Sequence, residues 1–215
     1  MLRTLKVMRV QTKIEEQLNT ISHGIGAVLG VAGLILLIIL RETDTEWSLF
    51  SVMVYGLSIV ILFTASTLYH WDTDARRKRI FRIIDHISIY LLIAGSYTPV
   101  LLLSLNESLG WTLFWTVWGI AAFGVILKTF FTGRFEVFST MLYLIMGWLI
   151  VFDFSNVSDA LGDNGILLLF AGGLCYTVGI VFYIFERIPY NHVIWHLFVL
   201  GGAICHFFMI LWYVV

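Results

Sequence analysis

The stretch HVIWHLFVLGGAICHFFMILWYVV, residues 192–215, contains no Asp, Glu, Lys or Arg. As a helix rising 1.5 Å per residue it is long enough to cross a bilayer, whose hydrocarbon core takes roughly 20 apolar residues. The segment opens on two imidazoles, His192 and His196. Residues four apart share one helix face, with Cβ atoms about 5–6 Å apart, so both rings can reach one metal ion. An ionisable side chain inside a membrane segment is costly and marks a functional position by default.

The rest of the chain matches this segment in character. Its 215 residues are 60% hydrophobic and 13% charged, with mean hydropathy +0.92. That composition excludes a soluble domain and predicts a polytopic membrane protein. No nucleic-acid partner is expected; membrane lipids are. Cys175 and Cys205 fall inside apolar runs, where a small soft side chain packs well and a disulfide has little chance to form.

Seven apolar spans are predicted: 20–40, 47–71, one from about 82 to 105, 111–131, 137–154, 166–185 and 192–215. Pro99 should kink the third, because a proline ring removes a backbone hydrogen bond. Residues 155–165 read as a loop. Trp47, Tyr69, Trp71, Trp111, Tyr143 and Trp212 near span ends suit interfacial anchoring. Gly26, Gly30, Gly172, Gly173 and Gly179 read as close-packing contacts between helices. Residues 1–19 read as a cytoplasmic, amphipathic segment, and 20–215 as the transmembrane domain. Placing the amino terminus inside collects Arg3, Lys6, Arg9, Lys13, Arg76, Arg77, Lys78, Arg79, Arg82, Lys128, Arg134 and Arg187 on the cytoplasmic side. Arg41 alone then lies outside. The positive-inside rule therefore predicts an all-α, seven-helix bundle in the cell membrane, amino terminus cytoplasmic and carboxyl terminus outside.

This topology puts His23, His70, Asp85, His86, His192 and His196 at one depth, in the inner-leaflet third, with His206 about 15 Å deeper than His196. His70, His192 and His196 are the best three metal ligands, since three imidazoles and a water make a catalytic-type zinc site. Asp85 suits a carboxylate beside the metal-bound water, orienting it and taking its proton, and Ser66, four residues before His70, could complete that water's hydrogen bonds. Asp85 could equally pair with Arg82 or Arg79. His86 reads as a packing residue, His23 either as a polar neighbour of the site or as a helix-start contact, and His206 and Asp153 as structural.

At these residues the chain resembles the hemolysin III family, the bacterial branch of the progestin and adipoQ receptors. The resemblance rests on Ile21-Ser22-His23-Gly24, Ser66-Thr67-Leu68-Tyr69-His70, Asp85 with Gly95-Ser96-Tyr97-Thr98-Pro99, and His192-Val193-Ile194-Trp195-His196. It implies a seven-helix bundle with a zinc ion held by His70, His192 and His196, and with Asp85 and Ser66 near a zinc-bound water. The related alkaline ceramidases suggest hydrolysis of a lipid amide. Three functional readings follow: a zinc-dependent intramembrane hydrolase of a lipid-like amide or ester, a membrane sensor or regulator with structural zinc, and a cytolytic, hemolysin-like protein.

Overall fold

The structure is a computed structural model and describes residues 11–42 and 45–215. Among these residues it is all-helical, without strands. Six continuous helical segments are long and apolar enough to cross a membrane: Lys13–Leu40, Ser48–Trp71, Ala75–Ser104, Gly110–Phe131, Glu136–Ile184 and Asn191–Tyr213. The surface has the matching inside-out character: Val28, Phe130, Val137 and Phe152 are all more than 70% exposed. A bilayer is the solvent that tolerates such a surface, and the chain is a multi-pass membrane protein.

Helix α1 (Lys13–Leu40) begins earlier than the hydropathy pattern suggests. Thr12 and Glu15 form a capping box: Thr12 N–H donates to Glu15 Oε2 at 2.8 Å and Glu15 N–H to Thr12 Oγ1 at 3.3 Å. Two otherwise orphaned donors are thereby satisfied, and the charged residues 13–19 become the first two turns of α1. Residues 1–10 of the expected amino-terminal segment lie outside the described residues.

Helices α2 (Ser48–Trp71) and α3 (Ala75–Pro99) are the most deeply buried and form the interior of the bundle. Asp74 caps α3 by accepting from the N–H groups of Arg76 and Arg77. At Pro99 the regular helix ends and a wider π-type turn, Val100–Ser104, takes over. Missing backbone N–H groups commonly widen a helix in this way.

Helix α4 spans Gly110–Phe131 and α5 Glu136–Trp148. A tight 3₁₀ stretch, Leu149–Asp153, leads directly into α6 (Phe154–Ile184). The expected loop at 155–165 is therefore helical, apart from Gly162 at φ 62°, ψ 177°, a conformation essentially restricted to glycine. The run does not continue straight through this residue. Phe154 and Phe170 have ring centroids 6.0 Å apart, and Trp148 Nε1 donates to Thr177 Oγ1 at 3.2 Å. Along a straight helix Trp148 and Thr177 would stand about 44 Å apart. The chain doubles back at Gly162.

Helix α7 (Asn191–Tyr213) packs against α6 and α1. Small residues let the helices approach: a Cβ on Gly26 would lie 2.5 Å from the Phe63 ring, and one on Gly172 2.2 Å from the His206 ring. A Cβ on Gly173 would lie 3.9 Å from the Trp148 ring, an ordinary contact. Tyr143, expected as an interfacial anchor, packs against the bundle. It turns inward and its hydroxyl donates to the carbonyl of His86 at 3.1 Å.

Candidate metal centre

The first turn of α1 fixes the relative placement of the other two helices. Glu15 Oε1 accepts from the N–H of Tyr190, the residue before α7, at 3.2 Å. One residue on, Glu16 Oε2 lies 2.6 Å from His70 Nδ1 near the end of α2, and Glu16 Oε1 accepts from Lys78 Nζ of α3 at 2.8 Å. The end of α2 and the start of α7 are thus drawn to the same turn.

His70, His192 and His196 meet there, with one donor atom from each lying within 4.8 Å of the others. Their ring centroids are 5.1 Å (His70–His192), 4.8 Å (His70–His196) and 4.7 Å (His192–His196) apart. The Glu16 contact engages Nδ1 of His70 and leaves its Nε2 buried with no hydrogen-bond partner. Ser22 donates its hydroxyl proton to the carbonyl of Asn19 at 3.0 Å, and its oxygen lies 3.5 Å from His196 Nδ1. With Nδ1 as the donor to Ser22, His196 would keep the lone pair of Nε2 for a metal.

The residues fit a metal. Neutral imidazoles whose outward nitrogen is held by a carboxylate or hydroxyl are the usual ligand arrangement, and the partner fixes both tautomer and ring orientation. A buried Nε2 without a partner is costly unless something accepts its lone pair. Three nitrogen donors suit zinc, and several other divalent ions as well.

The remaining predicted positions fall into two groups. Asp85 and Ser66 interact with each other across the α2–α3 contact, with Arg82 as the nearby charge on Asp85, and Asp85 is not one of the three clustered donors. His23 lies beside that group, its ring stacked on His196 at 3.6 Å. His86 faces away toward Glu136, Nδ1 to Oε2 3.8 Å. His206 Nε2 is 3.2 Å from the carbonyl of Leu169, while Asp153 accepts from Ser108 Oγ at 2.6 Å and from Leu109 N–H at 3.2 Å, just ahead of α4. Cys175 and Cys205 are free thiols. Sequence reasoning missed Glu16. The available signal was Thr12-x-x-Glu15, a capping box that starts the helix early enough to bring Glu16 to the level of His70.

Fold and site together define a helical, multi-pass membrane protein with a buried three-imidazole cluster that can hold one metal ion. The chain belongs to the haemolysin-III-related family, whose profile matches residues 11–207. It is 45% identical over 213 residues to Hemolysin-3 of Bacillus cereus, covering 98% of this chain and 97% of that one. To the Hemolysin-3 homolog of Bacillus subtilis (strain 168) it is 45% identical over 202 residues, covering 94% and 95%. The human monocyte to macrophage differentiation factor is 32% identical over 208 residues, covering 93% of this chain and 84% of its own. No solved structure matches the chain.

Proposed function

We propose that this protein is a zinc-dependent hydrolase acting within the cell membrane on the amide or ester bond of a lipid-like substrate. The observation that carries this reading is the donor count. Three imidazoles converge, and no fourth His, Cys, Asp or Glu among the described residues joins the group, which suits a metal site with a position open to water or a carbonyl. Zinc bound there supplies Lewis acidity, acidifying a water molecule and polarising a carbonyl.

The chain's own residues have distinct tasks in this scheme. Glu16 holds the His70 ring by Nδ1 and leaves Nε2 free for the metal. Asp85 takes the proton released by the attacking water, and Ser66 steadies its carboxyl group. Burial of His70 and His196 keeps bulk water from the ligands.

We further propose seven crossings with a cytoplasmic amino terminus. The doubling back at Gly162 divides Glu136–Ile184 into two antiparallel passes, which supports this count. The one-sided distribution of Lys and Arg supports the orientation.

A specific contact pattern also favours a second reading. Glu15 to Tyr190 and Glu16 to His70 tie α1, α7 and α2 together, so a metal ion at the cluster would fasten three helices and act structurally. One experiment separates the two. Zinc-loaded protein in detergent is incubated with a panel of N-acyl amides and acyl esters, beside Asp85→Asn. Fatty-acid release by wild type, falling about 100-fold or more in a variant that keeps its metal and melting temperature, supports the hydrolase. No release from any lipid, with a large drop in melting temperature on metal removal, supports the fastening role.

A further inference from the structure

We propose that the interior between α3, α5, α6 and α7 holds buried water molecules, anchored by the imidazole of His206 on α7 and the hydroxyl of Tyr176 on α6.

Two cavities lie there, of about 40 Å³ and about 90 Å³. Ser96, Tyr97, Gly147, Trp148, Gly173 and His206 line both, so the two spaces share a wall. A buried water needs roughly 10–15 Å³ and two to four polar partners, and a purely apolar cavity of adequate size stays dry. Room is therefore sufficient for several waters, and the polar groups of the walls decide whether they enter.

His206 supplies the first anchor. The Cδ2–Nε2 edge of its ring lies over Gly172, where an added Cβ would clash with it. Nε2 stands 3.2 Å from the carbonyl oxygen of Leu169, which can only accept, so Nε2 carries the proton. A neutral imidazole then has its lone pair on Nδ1, at the ring edge away from Gly172, and no donor among the described residues reaches it. Tyr176 supplies the second anchor. Its ring meets that of His206 edge-on, with centroids 5.5 Å apart, and lines the larger cavity. The Tyr176 hydroxyl makes no hydrogen bond among the described residues. Ser96 Oγ donates to the carbonyl of Ile93 at 2.9 Å and keeps lone pairs to accept with. Two acceptors and one hydroxyl of either role are the partners that water, with two protons and two lone pairs, satisfies.

Unmet polarity continues beyond these cavities. Tyr55 of α2 is an electrostatic neighbour of Tyr176, and its hydroxyl is buried without a partner. Ser51 and Ser48, four and seven residues earlier and on the same face of α2, carry orphaned hydroxyls as well. Buried polar groups are almost always satisfied, so such a run points to water that completes it. An acyl chain in the same space would leave His206 Nδ1 and the Tyr176 hydroxyl unpaired, at a cost that water avoids. The inference concerns hydration and stands whether or not the protein hydrolyses a lipid.

The test uses the full chain in lipid vesicles, given microsecond X-ray pulses with a radical scavenger in the bulk solution. Hydroxyl radicals born from buried waters oxidise the side chains beside them, and mass spectrometry locates the products. Met209 and Met146 are 1% and 0% exposed, yet of the two Met209 alone lines one of these cavities. Met209 should be oxidised about tenfold faster than Met146 or more, because water stands beside it. His206→Phe should slow oxidation of Met209 about fivefold, the loss of one hydrogen bond, with Met146 still protected. Tyr176→Phe, which removes a single oxygen, should slow oxidation of Tyr97 by a similar factor and keeps the test open should His206→Phe fail to fold. Equal protection of Met209 and Met146 in wild type overturns the hydration. Fast oxidation of Met209 and Tyr97 that persists unchanged in the folded variants overturns the assignment of the anchors.

Discussion

Glu16 on α1 and His70 on α2 stand 54 positions apart in sequence, and their side chains meet at 2.6 Å. This contact orients a candidate ligand at a helix end, because it engages Nδ1 and leaves Nε2 buried without a hydrogen-bond partner in the three-histidine group. Removing the carboxylate should therefore weaken the metal without removing a ligand. Glu16→Gln, which keeps the shape but loses the charge, should reduce metal affinity about 10–100-fold. Competition against a chelator of known strength measures the change, and an unaltered affinity would show that His70 needs no orientation.

A second ion-pair cluster links α3, α4 and the start of α5. Lys128, with 1% of its side chain exposed, donates to Glu136 Oε2 at 2.6 Å, and the N–H of Gly133 donates to Glu136 Oε1 at 2.9 Å. Arg82 approaches the same carboxylate at 3.9 Å. Glu136→Gln leaves a buried ammonium uncompensated and should cost about 3–5 kcal/mol. Lys128→Met combined with Glu136→Gln should recover much of that loss, giving a coupling of about 1–3 kcal/mol in a thermal-unfolding cycle. Metal content should not change in either protein, since neither residue touches the three histidines.

Gly162 makes a separate test of the reversal between α5 and α6. Its φ of 62° and ψ of 177° exclude ordinary side chains, although a Cβ there would have no neighbour within 4 Å. Gly162→Ala should therefore be destabilising through the backbone alone, by about 1–3 kcal/mol. Asp163→Ala at the exposed neighbouring position should stay within about 0.5 kcal/mol. Equal melting temperatures for the two variants would mean that the chain does not need this conformation to turn.

Much of this arrangement was legible in the sequence because it follows from period and hydropathy. Apolar runs mark the helices, and the four-residue step from His192 to His196 puts two ligands on one face. Depth was legible too, since His70 closes one run where His192 opens another. Lateral position was not. Asp85 meets Ser66 and Arg82 across the α2–α3 contact, and nothing in a hydropathy profile encodes which neighbour a face will meet. Glu16 was hidden for a related reason: flanked by charges, it read as part of a wet surface segment, and only the Thr12–Glu15 capping box signalled a helix reaching that far. Residues 155–165 carry Asp159 and Asp163 and so resembled a loop, whereas the turn needs only one residue outside helical geometry, Gly162.

The most direct test of the account is the metal content of the purified protein by elemental analysis, taken for wild type, His70→Ala, His192→Ala, His196→Ala and Asp85→Asn. About one zinc per chain is predicted for wild type and Asp85→Asn, with loss of bound metal in each histidine variant. Absence of zinc and of every other transition metal from wild-type protein, even after incubation with the metal, would contradict the account.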